Sequence, residues 1–265
     1  VIRVMKAELF KMRTTPGLWI LVGVTLLLTG LLGILPDFFV TVGPHHTIFT
    51  APHTVPQLRL LVGAGYEPGA LLAPVLGVLC ITTEYRQKVL TVTLLVTPRR
   101  SVVLVAKVVA SAIWGVVLGV ASLVMVAALG VPLFESQGGR FSTLVHQIGP
   151  VVPGLLGAYA LLAVFGMGIG TLLRNQVGAV IFALALSLVL EPVIVLLVHH
   201  ILHDDLNWFP SRSTAALAGG LTRQTQGNAG EGPLLSWWLG GLALLGWGAG
   251  SAAVGYFTTF RRDVT

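Results

Sequence analysis

Three placements in this 265-residue chain could do chemistry. His199-His200-Ile201-Leu202-His203 sets His199 and His203 one helical turn apart, as a metal-ligating pair would be, with the spacing of a diiron hydroxylase box. Glu67-Pro68 and Glu191-Pro192 each join a carboxylate to a residue that interrupts helical hydrogen bonding, a mark of ion-coupled carriers. Other chemistry is missing. No GxxxxGK[ST] phosphate loop, GxSxG or HExxH occurs, and the single cysteine, Cys80, lies inside an apolar run. The chain therefore offers no route of its own to ATP phosphates, no disulfide framework and no cysteine metal site.

The elements that must position these residues are membrane spans. Apolar residues make up 55% of the chain and charged residues 10%, against about 25% charged in a soluble domain. Mean hydropathy is +0.89. The expected architecture is an all-α integral membrane protein with six transmembrane helices, at about 17–35, 66–83, 101–130, 150–173, 177–198 and 234–258. Val1 to Arg13 precedes them as an amphipathic helix lying in the interface, with Ile2, Met5, Leu9 and Met12 as its apolar stripe and its basic residues snorkelling to headgroups. Thr15-Pro16 starts the first span, Thr as N-cap and Pro at the first helical position. That span is too long for a signal-peptide core and lacks a small-residue cleavage site, so no cleavable leader is expected.

Charge tests the count. Arg3, Lys6, Lys11, Arg13, Arg86, Lys88, Arg99, Arg100, Lys107, Arg174, Arg261 and Arg262 would share one side. Arg59, Arg140, Arg212 and Arg223 would share the other. Twelve against four puts both termini and the central loop in the cytoplasm. The formal charge of +6 then reflects topology rather than nucleic-acid binding. His199 and His203 fall at the outer boundary, away from the cytoplasmic His boxes a diiron enzyme draws on, so no metal site is expected. The carrier reading lacks an internal repeat relating the two halves.

The central loop is the most informative stretch. As a helix, Glu84 to Val96 puts Tyr85, Val89, Val92 and Val96 on one face, with Arg86, Gln87, Lys88 and Thr91 largely away from it. Glu84 and Lys88 form an acid-first i,i+4 pair. Pro98 ends the helix, and Arg99-Arg100 forms a basic turn. Its apolar face, on the cytoplasmic side, needs cover from lipid or a partner protein.

Glu84-Tyr85-Arg86, Thr91, Leu95, Thr97-Pro98-Arg99-Arg100 and Lys107 resemble the EYR…T…L.TPRR…K signature of type-2 ATP-binding-cassette (ABC) exporter permeases, closest to half-size actinobacterial permeases of the drug- and peptide-resistance type. Ala7 to Thr15, Gly166-Met167-Gly168-Ile169-Gly170, Leu173-Arg174-Asn175-Gln176, Glu191-Pro192 and Arg261-Arg262-Asp263-Val264 extend the likeness over most of the chain. Lys88-Val89 stands where the family usually has Gly-Thr.

The resemblance implies an elbow helix over 1–14 and a coupling helix over 84–97 that docks in a cleft of a separate ATPase. Glu84, Tyr85, Arg86, Lys88, Val89, Val92, Arg99 and Arg100 would make that contact. It implies two permease copies, identical or not, with two ATPases carrying ATP and Mg. This chain would hold no cofactor and no catalytic residue. The setting would be a bacterial plasma membrane, and the cargo an amphipathic drug, antimicrobial peptide or lipid.

Two further expectations come from spacing. Glu67 and Glu191 each lie fifteen residues from the cytoplasmic end of their spans, roughly 22 Å up, and are candidates for a shared polar translocation path. Small residues four apart, Gly166/Gly170, Gly246/Gly250 and Ser251/Gly255, are expected to allow close helix packing.

Overall fold

The structure is a computed structural model. It describes residues 2–34, 55–87, 100–136, 142, 146, 148–173, 175–202, 206–219 and 234–255. All regular elements among them are helical. Helix α1 (Ile2–Thr14) stops at Thr15, whose extended backbone (ψ 116°) turns the chain into α2 (Pro16–Leu28). Proline at the first helical position has no N–H to leave unpaired and a φ already suited to the helix. The two axes differ by 64°. A π-helical turn, Thr29–Ile34, continues α2.

Helix α3 (Val55–Gln87) and α4 (Arg100–Ser136) follow, then α5 (Val152–Leu172), entered through the 3₁₀ turn Gly149–Val151. Asn175 caps α6 (Gln176–Ala185), its side chain accepting from the Val177 and Gly178 amides. A second π turn, Leu186–Leu190, joins α6 to α7 (Glu191–Leu202). Last come the short α8 (Pro210–Leu217) and α9 (Trp237–Gly255).

Among the described residues, five stretches are long and apolar enough to cross a membrane: Gly65–Gln87, Val102–Pro132, Gly149–Leu172, Gln176–Ile201 and Trp237–Gly255. The bent pair α1–α2 brings the number to six if counted as one span. The chain is a multi-pass helical membrane protein. The second span, expected at about 66–83, is the crossing stretch Gly65–Gln87, and the helix that carries it runs further, unbroken from Val55, with Pro68 and Pro74 inside it. Packed neighbours make such prolines tolerable in a membrane helix. Beside Pro68, the Tyr66 carbonyl accepts a hydrogen bond from the Tyr159 hydroxyl of α5 at 3.0 Å, and the two rings meet edge to face at 5.2 Å.

Spans α3, α4 and α5 form the core, with Leu76, Leu118, Leu155 and Tyr159 fully enclosed. Glycine sets how close α3 and α5 come. A Cβ on Gly166 would fall on the Pro74 carbonyl, and one on Gly77 on the Ala163 carbonyl. The small-residue pattern therefore divides. Gly166 and Gly170 lie in this crossing, and Gly255 lies against Thr171, whereas a Cβ on Gly246 or Gly250 would meet nothing within 4 Å. By contrast α6 and α7 stand at the periphery, with Val177, Ile181, Leu188, Leu196 and Ile201 exposed.

Residues 206–219, which fall between the expected fifth and sixth spans, do more than connect them. Leu206 adopts a left-handed φ of 44°, and the chain turns back. Trp208 stacks on Trp247 at 6.2 Å, and the Trp247 indole N–H donates to the Trp208 carbonyl at 3.0 Å. Trp247 lies ten residues along α9 from Trp237, about 15 Å from the start of that helix. Helix α8 then runs back against α5 and α9, until Leu217 lies against Gly154 and Gly241 near the N-termini of those two helices. The segment thus doubles back alongside α9.

Gly166→Leu is expected to cost about 3 kcal/mol or prevent folding, because the opposing atoms are backbone. Gly246→Ala should leave the melting temperature of the purified protein unchanged. Equal effects would mean that α3 and α5 do not cross at the glycines.

Candidate functional site

Four charged side chains meet where α1, α3 and α4 converge. Lys107 of α4 is completely buried and donates to Glu8 Oε2 of α1 at 2.7 Å. It also pairs with Glu84 Oε1 of α3 at 2.7 Å. Lys11, part-exposed, pairs with Glu8 Oε1 at 3.3 Å and with Glu84 Oε1. Two lysines and two glutamates sum to zero formal charge, which allows charges this deeply buried to persist. Glu84 Oε2 is left buried without a donor.

Local sequence places each group. On α1, Glu8 falls between Met5 and Met12 on the same face, so seating that face on the bundle takes the carboxylate inside with Met12. The apolar stripe of α1 thus includes protein-facing positions. Met12 is buried, and its sulfur lies 3.5 Å from Cys80 Sγ. Lys107 sits in the apolar run VVLVAKVVA, where a lysine needs a partner. Glu84 is three residues before the end of α3. Beside the cluster is a cleft of about 180 Å³ lined by Lys11, Thr15, Cys80, Glu84, Arg86 and Gln176.

The coupling residues separate by environment. Glu84 is buried, 2% exposed, and turned to its two lysines. Tyr85 is half-buried and packs with Leu104 and Val108 around Ile81 and Met167. Arg86 is exposed and lines the cleft. Arg100 begins α4. Lys88, Val89, Val92 and Arg99 lie outside the described residues, as does the expected helix beyond Gln87. Sequence reasoning missed Lys11 and Lys107 as partners of Glu84, and Glu8 as the second carboxylate of the cluster. The available signal was an acid within an apolar stripe and a lysine within an apolar span, which call for each other.

The structure engages Glu191 with a helix terminus. It is 4% exposed and accepts from the Ser211 amide of α8 at 2.6 Å. The first amides of α8 have no partners within the helix, and its N-terminus carries partial positive charge, so a carboxylate from α7 satisfies both. Next to it, Arg212 donates to Asn207 Oδ1 at 2.8 Å. Glu67, half-buried on α3, neighbours Tyr66. His199 is exposed near the end of α7, and His203 lies outside the described residues. Among the described residues no three His, Cys, Asp or Glu side chains group as a metal site would require.

In comparisons with known proteins, no family model matches the chain and no curated protein matches it.

Lys107→Met leaves two buried carboxylates with only Lys11 between them. The expected loss is about 3–5 kcal/mol, read as a lower melting temperature in detergent. Adding Glu8→Gln should recover part of it; equal melting temperatures for wild type and Lys107→Met would show that the cluster contributes nothing to stability. Glu191→Leu removes the foreign cap of α8, at a cost of about 1–2 kcal/mol. Amide exchange over 210–217 should accelerate while exchange in α5 stays unchanged.

Proposed function

We propose that this chain is the membrane permease of an ABC-type exporter, driven by a separate ATPase subunit that docks on the cytoplasmic segment following α3. The observation that carries the reading is the braced exit of that segment. Glu84-Tyr85-Arg86 opens the stretch resembling the exporter signature. Glu84 is tied to α1 and α4 through Lys11 and Lys107, while Arg86 remains exposed. A displacement applied to the segment beyond Gln87 is thereby passed to three elements at once. The absence of a phosphate loop in this chain fits an energy source on another polypeptide.

On this reading α1 is the elbow helix. Two copies of the permease, identical or different, assemble with two ATPases. The cargo is amphipathic or hydrophobic, a drug, antimicrobial peptide or lipid, because the spans offer few charges to hold a small polar solute. ATP and Mg reside on the ATPase.

Co-expression with a candidate ABC ATPase subunit is the direct test. Arg86→Glu or Lys88→Glu is expected to reduce co-purification of the ATPase several-fold, or to leave hydrolysis uncoupled from export. Deleting 88–97 is expected to abolish ATP-driven export of a hydrophobic antibiotic from inverted vesicles. Undiminished export in the deletion would sink the proposal.

A further inference from the structure

Seating Met5, Glu8 and Met12 on the bundle fixes what α1 shows to the outside. Arg3, Lys6, Phe10 and Arg13 are exposed, Phe10 at 68%. At 3.6 residues per turn these four fall within an arc of roughly 80°. The helix has one acid, Glu8, and it is buried and held by Lys107 and Lys11. Three cations therefore surround an exposed aromatic ring on a face that, among the described residues, has no compensating carboxylate. The face is also fixed in rotation, because the ion cluster grips the opposite side of the helix.

Its position indicates what covers it. Arg13 is joined to the foot of α2 by the Trp19 indole, which donates to the Arg13 carbonyl at 2.8 Å. The Trp19 ring is 52% exposed on the outside of the bundle and meets Trp114 edge to face at 5.8 Å. A half-exposed indole at the end of a membrane helix belongs at the headgroup level, and it sets α1 at that depth. Water would leave Phe10 uncovered, whereas the headgroup–acyl boundary accepts an aromatic ring and anionic headgroups neutralise the cations.

We propose that the Arg3–Lys6–Phe10–Arg13 face of α1 binds the headgroups of anionic phospholipids. Each cation near an anionic surface contributes about a fivefold gain in local affinity, so three give about a hundredfold. Uncharged and zwitterionic lipids gain none of this. The proposal stands independently of the transport reading.

The full-length protein in nanodiscs of equimolar phosphatidylglycerol and phosphatidylcholine provides the test, with retained lipids identified by native mass spectrometry. Wild type is expected to hold phosphatidylglycerol in preference to phosphatidylcholine, with the preference falling as salt rises. Arg3→Gln/Lys6→Gln/Arg13→Gln should abolish the preference, and Arg3→Lys/Arg13→Lys should keep it. These positions are exposed, so a monodisperse elution profile shows that the fold survives. Equal retention of both lipids by wild type overturns the proposal, as does undiminished selectivity in the Gln variant. Loss of selectivity in the Lys variant overturns it too, since charge would then not be the cause. Selectivity unchanged in the Gln variant together with loss of a bound acidic protein would reassign the face to a protein partner.

Discussion

The end of the molecule where α1, α3 and α4 converge depends on one salt-bridged cluster. Lys107 has no access to water, and its charge is tolerable only because Glu8 and Glu84 reach it from two other elements. That requirement fixes the rotation of α1, the depth at which α1 seats on the spans and the angle at which α3 ends. Apolar packing alone would tolerate sliding by a methylene, since side chains of similar size substitute for one another. Ion pairs of 2.7 Å do not tolerate such a slide. Glu84 Oε2 remains buried without a donor, which marks the inner end of α3 as less than fully satisfied.

Farther out, polar atoms give way to backbone contact. The α3–α5 crossing has no room for a side chain at Gly77 or Gly166, and the proline-bearing stretch of α3 is held in that contact. Without a hydrophobic driving force between helices in lipid, close approach supplies the attraction instead. The spans thus meet through different physics along their length: charge where α1, α3 and α4 converge, glycine contacts in the middle and the doubled-back α8 at the far end.

Much of this was legible in the sequence. The apolar runs located the spans, and Thr15-Pro16 gave the break between α1 and α2, because both signals are local. The rotation of α1 was not legible. Ile2, Met5, Leu9 and Met12 mark an apolar face equally well whether lipid or protein covers it, and only the inward Glu8 decides. The partners of Glu84 were missed because they lie 73 residues away at Lys11 and farther along the chain at Lys107, whereas the visible partner Lys88 was four away. Glu67-Pro68 reads as an interruption of helical hydrogen bonding. Packing overrides that tendency, and the helix continues through it. The doubled-back α8 gave no sign, since Pro210-Ser211-Arg212-Ser213-Thr214 is too polar to suggest packing among spans.

That polarity has a consequence for how the protein is made. Helix α8 cannot wait in lipid by itself: Arg212, Ser213 and Thr214 would face hydrocarbon. It is sheltered against α5 and α9, with the Glu191 carboxylate of α7 on its first turn, and α9 follows it in the chain. Its polar side chains therefore have no finished seat until the ribosome has delivered that last helix. The order of synthesis and the order of completion differ.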